Sequence, residues 1–306
     1  MEPEAPSTRA RFWPSLLIGV ASAAVMLVPA FSYGLRLPLQ NLWSGEVSEP
    51  DDMPFALLPL SQYFAINVFV MLVMGGVIAG LAMRVMRRRW MPRAGAAALG
   101  VLLVHGVVSV QAFVVLAGGL GIGDGSADAR QVLYFGGMLG GVVIGILFAQ
   151  LGLWLTSRAS VMPAALGIVL AAVPAANWVS LAVVATPAIG GWTSLPLFSW
   201  WLPGVIVGVT FAWCGVRPLV RLIVWVVGLL AVWVVPALFT AIMYALGSRV
   251  FDGDLCMMAE AGIQVFPQVL AVSWQPALVA LVIGVIGVVV RMLVGRNHSR
   301  SNPRSV

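Results

Sequence analysis

Residues 64–93 read FAINVFVMLVMGGVIAGLAMRVMRRRWMPR. The stretch 64–86 is long enough to cross a hydrocarbon layer, which takes about 20 mostly apolar residues as a helix. Arginines crowd its far end, at Arg84, Arg87, Arg88, Arg89 and Arg93. A segment inside lipid must bond its own backbone groups, which leaves helices and closed barrels. Barrel strands alternate apolar and polar residues, and this run does not alternate. Residues 64–86 therefore predict a transmembrane helix with an arginine-rich anchor.

The same pattern recurs on both sides. Further spans are expected at 12–34, 94–120, 132–156, 160–186, 198–216, 219–247 and 271–294, making about eight. Between them lie segments rich in Arg, Gly, Pro or acids. Composition agrees. Apolar residues make up 61% of the 306-residue chain and charged residues 9%, with a mean hydropathy of +1.01. An ordinary soluble domain carries roughly 25% charged residues, so two soluble domains of this length are excluded. The pI of about 10.3 follows from the placement of arginines and does not imply nucleic acid. All 17 basic residues are Arg, a usage that fits a GC-rich bacterial genome.

Positive residues collect on the cytoplasmic side of membrane proteins. With the N-terminus inside, 14 of the 17 arginines are cytoplasmic; only Arg36, Arg130 and Arg249 are outside. Nine of the eleven acids, from Glu46 to Glu260, then lie outside. The opposite orientation inverts both ratios. Both termini are therefore expected in the cytoplasm: a tail at 1–11, a membrane domain at 12–294 and an Arg-containing tail at 295–306. The first span could be a signal sequence ending at Val28-Pro29-Ala30. Its apolar region is long for that role, and the tripeptide recurs in later spans, so it is read as retained. Cys214 and Cys256 fall on opposite faces and cannot pair within one chain.

The spans share short motifs. Even-numbered spans carry Gly76-Val-Ile-Ala-Gly80, Gly141-Val-Val-Ile-Gly145, Gly204-Val-Ile-Val-Gly208 and the shortened Gly284-Val-Ile-Gly287. Odd-numbered spans carry Val28-Pro29-Ala30, Val173-Pro174-Ala175 and Val235-Pro236-Ala237, with Val110-Gln111-Ala112 in the third. The expected fold is thus an all-α bundle of about eight transmembrane helices, built as four tandem helical hairpins of one orientation. Small residues four apart let helices approach closely. Pro29, Pro174 and Pro236 lie 15–18 residues beyond the last cytoplasmic Arg. That is about 22–27 Å up a helix, and kinks there could open an outward vestibule.

No Asp, Glu, Lys or Arg lies in the central part of any span. Intramembrane charges mark ion pathways and voltage sensors, so carriers built on buried carboxylates are disfavoured. The interior polar residues are His105, Ser109, Gln111, Gln150, Asn177 and Ser180. Five of them, His105, Ser109, Gln111, Gln150 and Asn177, are the candidate lining of a polar pathway. His105 and Ser109 share a helical face, but a hydrolase would need a third partner or a nucleophile elbow, and neither is present.

Outside, residues 35–63 and 248–270 form two acidic loops, expected to be solvated. Apolar residues such as Trp43, Phe55, Leu58 and Phe266 suggest segments that cap the bundle. Asp252-Gly253-Asp254 lacks the further oxygens of a calcium loop, so no metal is expected. Inside, Arg87-Arg88-Arg89 faces anionic lipid and offers a dock for an acidic cytoplasmic partner. No nucleotide-binding or zinc motif occurs, and no cofactor is expected. The partners expected are the lipid bilayer and a membrane or cytoplasmic protein, with no nucleic acid. Three classes of function fit. The first is a permease-like subunit or passive carrier without its own ATPase. The second is a non-catalytic scaffold or partner subunit of a cell-envelope complex. The third, least supported, is an enzyme acting on lipid-linked substrates through Asp252, Asp254 or Glu260.

Overall fold

Wherever the chain stays apolar for some 20 residues, its backbone closes into helix. The computed structural model describes residues 11–31, 35–40, 42–44, 49–184, 195–248 and 254–300. The tail before Arg11, Glu46, Arg249, Phe251, Asp252, Gly253 and residues 301–306 lie outside them. The chain forms two compact units, Met1–Ala159 with Leu181–Gly190, and Ser160–Ser180 with Gly191–Val306.

The first unit contains α1 (Phe12–Met26), α2 (Val28–Phe31), α3 (Ala65–Met86), α4 (Ala94–Gly119) and α5 (Ala129–Thr156). The second is built on α6 (Val161–Val184), α7 (Leu195–Cys214), α8 (Leu222–Gly247), α9 (Leu255–Val272) and α10 (Gln275–Arg300). Among the described residues, seven helical segments are long and apolar enough to cross a membrane, and Phe12–Met26 and Trp200–Cys214 are apolar but shorter. Large apolar side chains remain exposed on the helix flanks, among them Val107, Val110 and Val114 of α4 and Ile144, Leu147 and Leu151 of α5. A soluble monomer rarely exposes such continuous apolar surface, whereas lipid tails match it. The protein is an all-α, multi-span membrane bundle.

In the first unit, α1 and α4 run parallel. Arg93 N donates to Ser15 Oγ at 2.9 Å near their starts. Further along, a Cβ at Gly19 would stand 2.1 Å from the Ala97 carbonyl oxygen, and one at Gly100 2.3 Å from that of Leu16. The helices α3 and α5 also run parallel. A Cβ at Gly76 would meet the Ala149 oxygen at 1.9 Å, and Thr156 Oγ1 reaches the Val77 carbonyl at 3.2 Å. Ala23, Ala79, Met83, Ala97, Val101 and Leu153 close the core between these helices. Lipid supplies little hydrophobic drive for helix association, so such close backbone packing carries it.

The second unit repeats this scheme. Its helices α7 and α10 are parallel, with Gly204 against Pro276, Gly208 against Ala280 and Ile283, and Gly287 against Ala212. At the arginine-rich end, Arg291 donates to the Trp213 carbonyl at 2.9 Å and Arg221 to that of Cys214 at 2.6 Å. These carbonyls end α7 and have no helical donors. The rings of Phe211 and Trp225 stack at 4.4 Å within a core that includes Val169, Val207 and Val232. Consecutive spans turn back on each other, as hairpins should. The glycine contacts, however, join alternate spans: second to fourth, and sixth to eighth. In the fourth span the contact stripe continues from Gly145 to Ala149 and Gly152, while Gly141 has nothing within 4 Å.

Two expectations need correction. The acidic segment 248–270 is not a solvated loop: from Leu255 onward it is α9. This helix runs antiparallel along α8, with Gly262 near Ala241 and Ala245 and Trp233 Nε1 donating to the Leu270 carbonyl at 2.9 Å. Asp254, read as half of an Asp-x-Asp motif, is its N-cap, accepting from Cys256 N and Met257 N at 2.9 and 3.1 Å. Since α7 and α10 are parallel and both α7 and α9 oppose α8, α9 and α10 run in one direction. The two follow one another along that direction, with a break at Ser273-Trp274.

Segment 35–63 is not a free loop either. Leu37, Met53, Ala56, Leu58 and Leu60 are fully buried. Its irregular backbone is held from below and from the side. Gln40 Nε2 donates to the Leu60 carbonyl (2.8 Å), Gln131 Nε2 to that of Leu42 (3.0 Å), and Ser44 N to that of Gly119 (2.9 Å). Glu49, Asp51 and Asp52 stay exposed. The segment folds into the acidic end of the first unit as a plug, in keeping with the expectation that its apolar residues cap the bundle.

Candidate functional site

The five predicted pathway residues do not assemble into one site. His105, Ser109, Gln111 and Gln150 belong to the first unit and Asn177 to the second. Gln111 is committed to the plug: its Oε1 accepts from Leu57 N at 2.8 Å and its Nε2 donates to the Phe55 carbonyl at 3.0 Å. Gln111 sits two turns below the end of α4 at Gly119, so it satisfies loop backbone at membrane depth. Non-helical backbone is tolerated there only when protein supplies its hydrogen bonds. Gln150 Nε2 reaches the Ala98 carbonyl at 3.5 Å, the far limit of a hydrogen bond.

His105 is fully buried where α1, α3 and α4 meet. A Cβ built at Gly75 would lie 3.0 Å from His105 Nε2 and 3.2 Å from the Ala23 Cα. A side chain at 75 would crowd the ring and the α1 backbone. Neither ring nitrogen, nor the Ser109 hydroxyl, has a hydrogen-bond partner among the described residues. The two side chains therefore do not bond each other, and no activated serine is formed. Such buried polar groups are rare, and within a membrane they mark places worth testing.

The second unit holds a cavity of about 200 Å³. Asn177 and Ser180 of α6, Trp200 and Pro203 of α7, Pro236 and Thr240 of α8, and Ser273 and Pro276 at the α9–α10 break contribute to its wall. Its depth can be read along the helices. Pro203 is eleven residues from Cys214, and Pro276 fifteen from Arg291, or about 16–22 Å above the arginine-rich end. A hydrocarbon core is about 30 Å thick, so the cavity lies near mid-membrane. Asn177 and Pro236, singled out separately in the sequence, meet here. Pro174 sits within α6 beside the lining residue Val173, and α6 and α8 continue through their prolines. Pro29 lies in α2 of the first unit, just after the interruption at Leu27.

Pro203, Thr240, Ser273 and Pro276 were not anticipated. The usable signal was Ser273-Trp274-Gln275-Pro276, a polar tetrapeptide ending in proline within an otherwise apolar stretch. Proline is favoured in the first turn of a helix, so this tetrapeptide marks a restart. Among the described residues the wall is otherwise apolar and none is charged. That arrangement can hold a small molecule by shape and a few hydrogen bonds.

Compared with known proteins, the sequence matches no protein-family model and no curated relative, and the structure matches no solved structure.

Proposed function

We propose that the protein is a passive carrier or a permease-like subunit, driven by a gradient or by a partner, in the cytoplasmic membrane of a bacterium. Both termini face the cytoplasm in this reading, and the acidic ends of the units face outward. The observation that carries it is the mid-depth cavity beside a crossing broken at Ser273-Trp274. Carriers commonly bind substrate where helices are discontinuous near the midplane. Proline inside α7 and α8 at the same cavity gives each of these helices a weak point about which the wall can move.

A non-catalytic partner subunit is the second reading. It is favoured by the first unit, whose acidic end is plugged and whose Gln111 is occupied in holding that plug.

Thiol accessibility separates the two readings. Thr240→Cys in a Cys214→Ala, Cys256→Ser background should react with a membrane-impermeant thiosulfonate added at the acidic face of sealed vesicles. Val226→Cys, on the exposed apolar flank of α8, should not react. An unreactive Thr240→Cys, in protein that keeps its melting temperature, would argue against a reachable binding cavity and for the partner-subunit reading.

A further inference from the structure

We propose that the cavity of the second unit takes a small organic cation, an ammonium-bearing molecule about the size of one ring with a short chain; this rests on the carrier reading above. Size comes first. The cavity measures about 200 Å³, against about 150 Å³ for an engineered cavity that binds benzene.

Hydrogen-bonding capacity comes second. The hydroxyls of the wall spend their only donor on their own helix, and Asn177 spends one of its two amide N–H groups there. Asn177 Nδ2 donates to the Val173 carbonyl (3.0 Å), Ser180 Oγ to Ala176 (3.0 Å), Thr240 Oγ1 to Pro236 (2.9 Å) and Ser273 Oγ to Val269 (2.7 Å). What remains for a ligand is mainly acceptor capacity, in Asn177 Oδ1 and the hydroxyl lone pairs. Pro236 adds to it. It has no N–H, so the carbonyl of Val232, a residue of the same wall, lacks its helical donor. Among the described wall residues, the second Asn177 N–H and the Trp200 indole N–H are the side-chain donors left.

The local field comes third. The helix α9 ends at Val272 and α10 begins at Gln275, so a negative and a positive helix end meet at the break and offset each other. Among the described residues no basic side chain lines the cavity, whereas Trp200 and Phe239 do, and aromatic faces attract cations. Acceptors and aromatic walls favour a cationic donor over an anion. The absence of a carboxylate keeps the site weak enough to release what it binds.

The test uses the full chain in lipid nanodiscs, with protein-free nanodiscs as reference. Three probes of similar shape are titrated: phenethylammonium, 2-phenylethanol and 3-phenylpropionate. Phenethylammonium should bind about tenfold tighter than 2-phenylethanol, and 3-phenylpropionate should not bind saturably. Asn177→Leu should weaken the ammonium about tenfold while leaving 2-phenylethanol unchanged. Thr240→Val serves if Asn177→Leu loses its cooperative melting transition. Equal or tighter binding of 2-phenylethanol would overturn the cationic class while leaving the cavity as a binding site. Stabilisation by sodium alone that Asn177→Leu abolishes, without phenethylammonium binding, would overturn the organic class. No saturable, substitution-sensitive binding of any probe would remove both the class and the carrier reading beneath it.

Discussion

Gly76→Leu should leave no folded protein to purify. A Cβ at that position would lie 1.9 Å from the Ala149 oxygen, 2.4 Å from its carbonyl carbon and 2.7 Å from its Cα. All three are backbone atoms, so no side chain can swing aside. The helices α3 and α5 must part, and the contacts beyond the clash part with them: Gly80 against the Leu153 backbone, and Thr156 Oγ1 on the Val77 carbonyl. With so little else to hold helices together in lipid, the loss should exceed about 4 kcal/mol, the upper range for single substitutions. Gly141→Leu is the matched control. It belongs to the same sequence motif, but nothing lies within 4 Å of its Cβ position. It should purify as a monodisperse species with a near-native melting temperature in mild detergent. Comparable damage from both substitutions would refute the assignment of the α3–α5 contact.

Gln111→Leu should release the plug. It removes the acceptor for Leu57 N and the donor for the Phe55 carbonyl. An unpaired buried backbone group costs about 1–3 kcal/mol. Phe55 is exposed and Leu57 half-buried, so most of the loss, about 1–3 kcal/mol in all, should come from the Leu57 side. The expected readouts are a lower melting temperature and rapid proteolytic cleavage within 49–60, with the second unit's cavity unchanged. A Gln111→Leu protein with native protease resistance would show that Gln111 does not hold the plug.

Much of this architecture could be read from the residues, because lipid imposes one simple rule. Eight apolar stretches at the right spacing leave little choice but helices, and the glycines of the second, sixth and eighth spans do mark contacts. The partners of those glycines could not be read, since a motif on one helix does not name the helix it meets. The helix α9 escaped notice because Asp254, Glu260, Gln264, Gln268 and Pro267 dilute its apolar pattern. Only the antiparallel seat along α8 and the Asp254 cap make it a helix. The burial of Leu37 and Leu60 escaped for a different reason: irregular backbone has no periodicity to read.

The candidate site was legible in part. Asn177 and Pro236 stood out as a polar residue and a helix breaker inside apolar runs. Thr240, Ser273 and Pro276 did not, because they matter only once two helices converge on a third. Gln111 was singled out as an interior polar residue lining a pathway, but its role as a clamp on a distant loop depends on contacts 54 and 56 residues away in sequence.

In the proposed reading α9 and α10 make a single crossing beside the cavity, and one labelling experiment tests it. Cys256 is exposed near the start of α9. In a Cys214→Ala background, sealed vesicles of known orientation should label Cys256 with an impermeant maleimide on one face. A tag placed after Val306 should be cleaved by protease only on the other face. Labelling and cleavage on the same face would mean that α9 and α10 each cross the membrane, contradicting the broken span and the site built upon it.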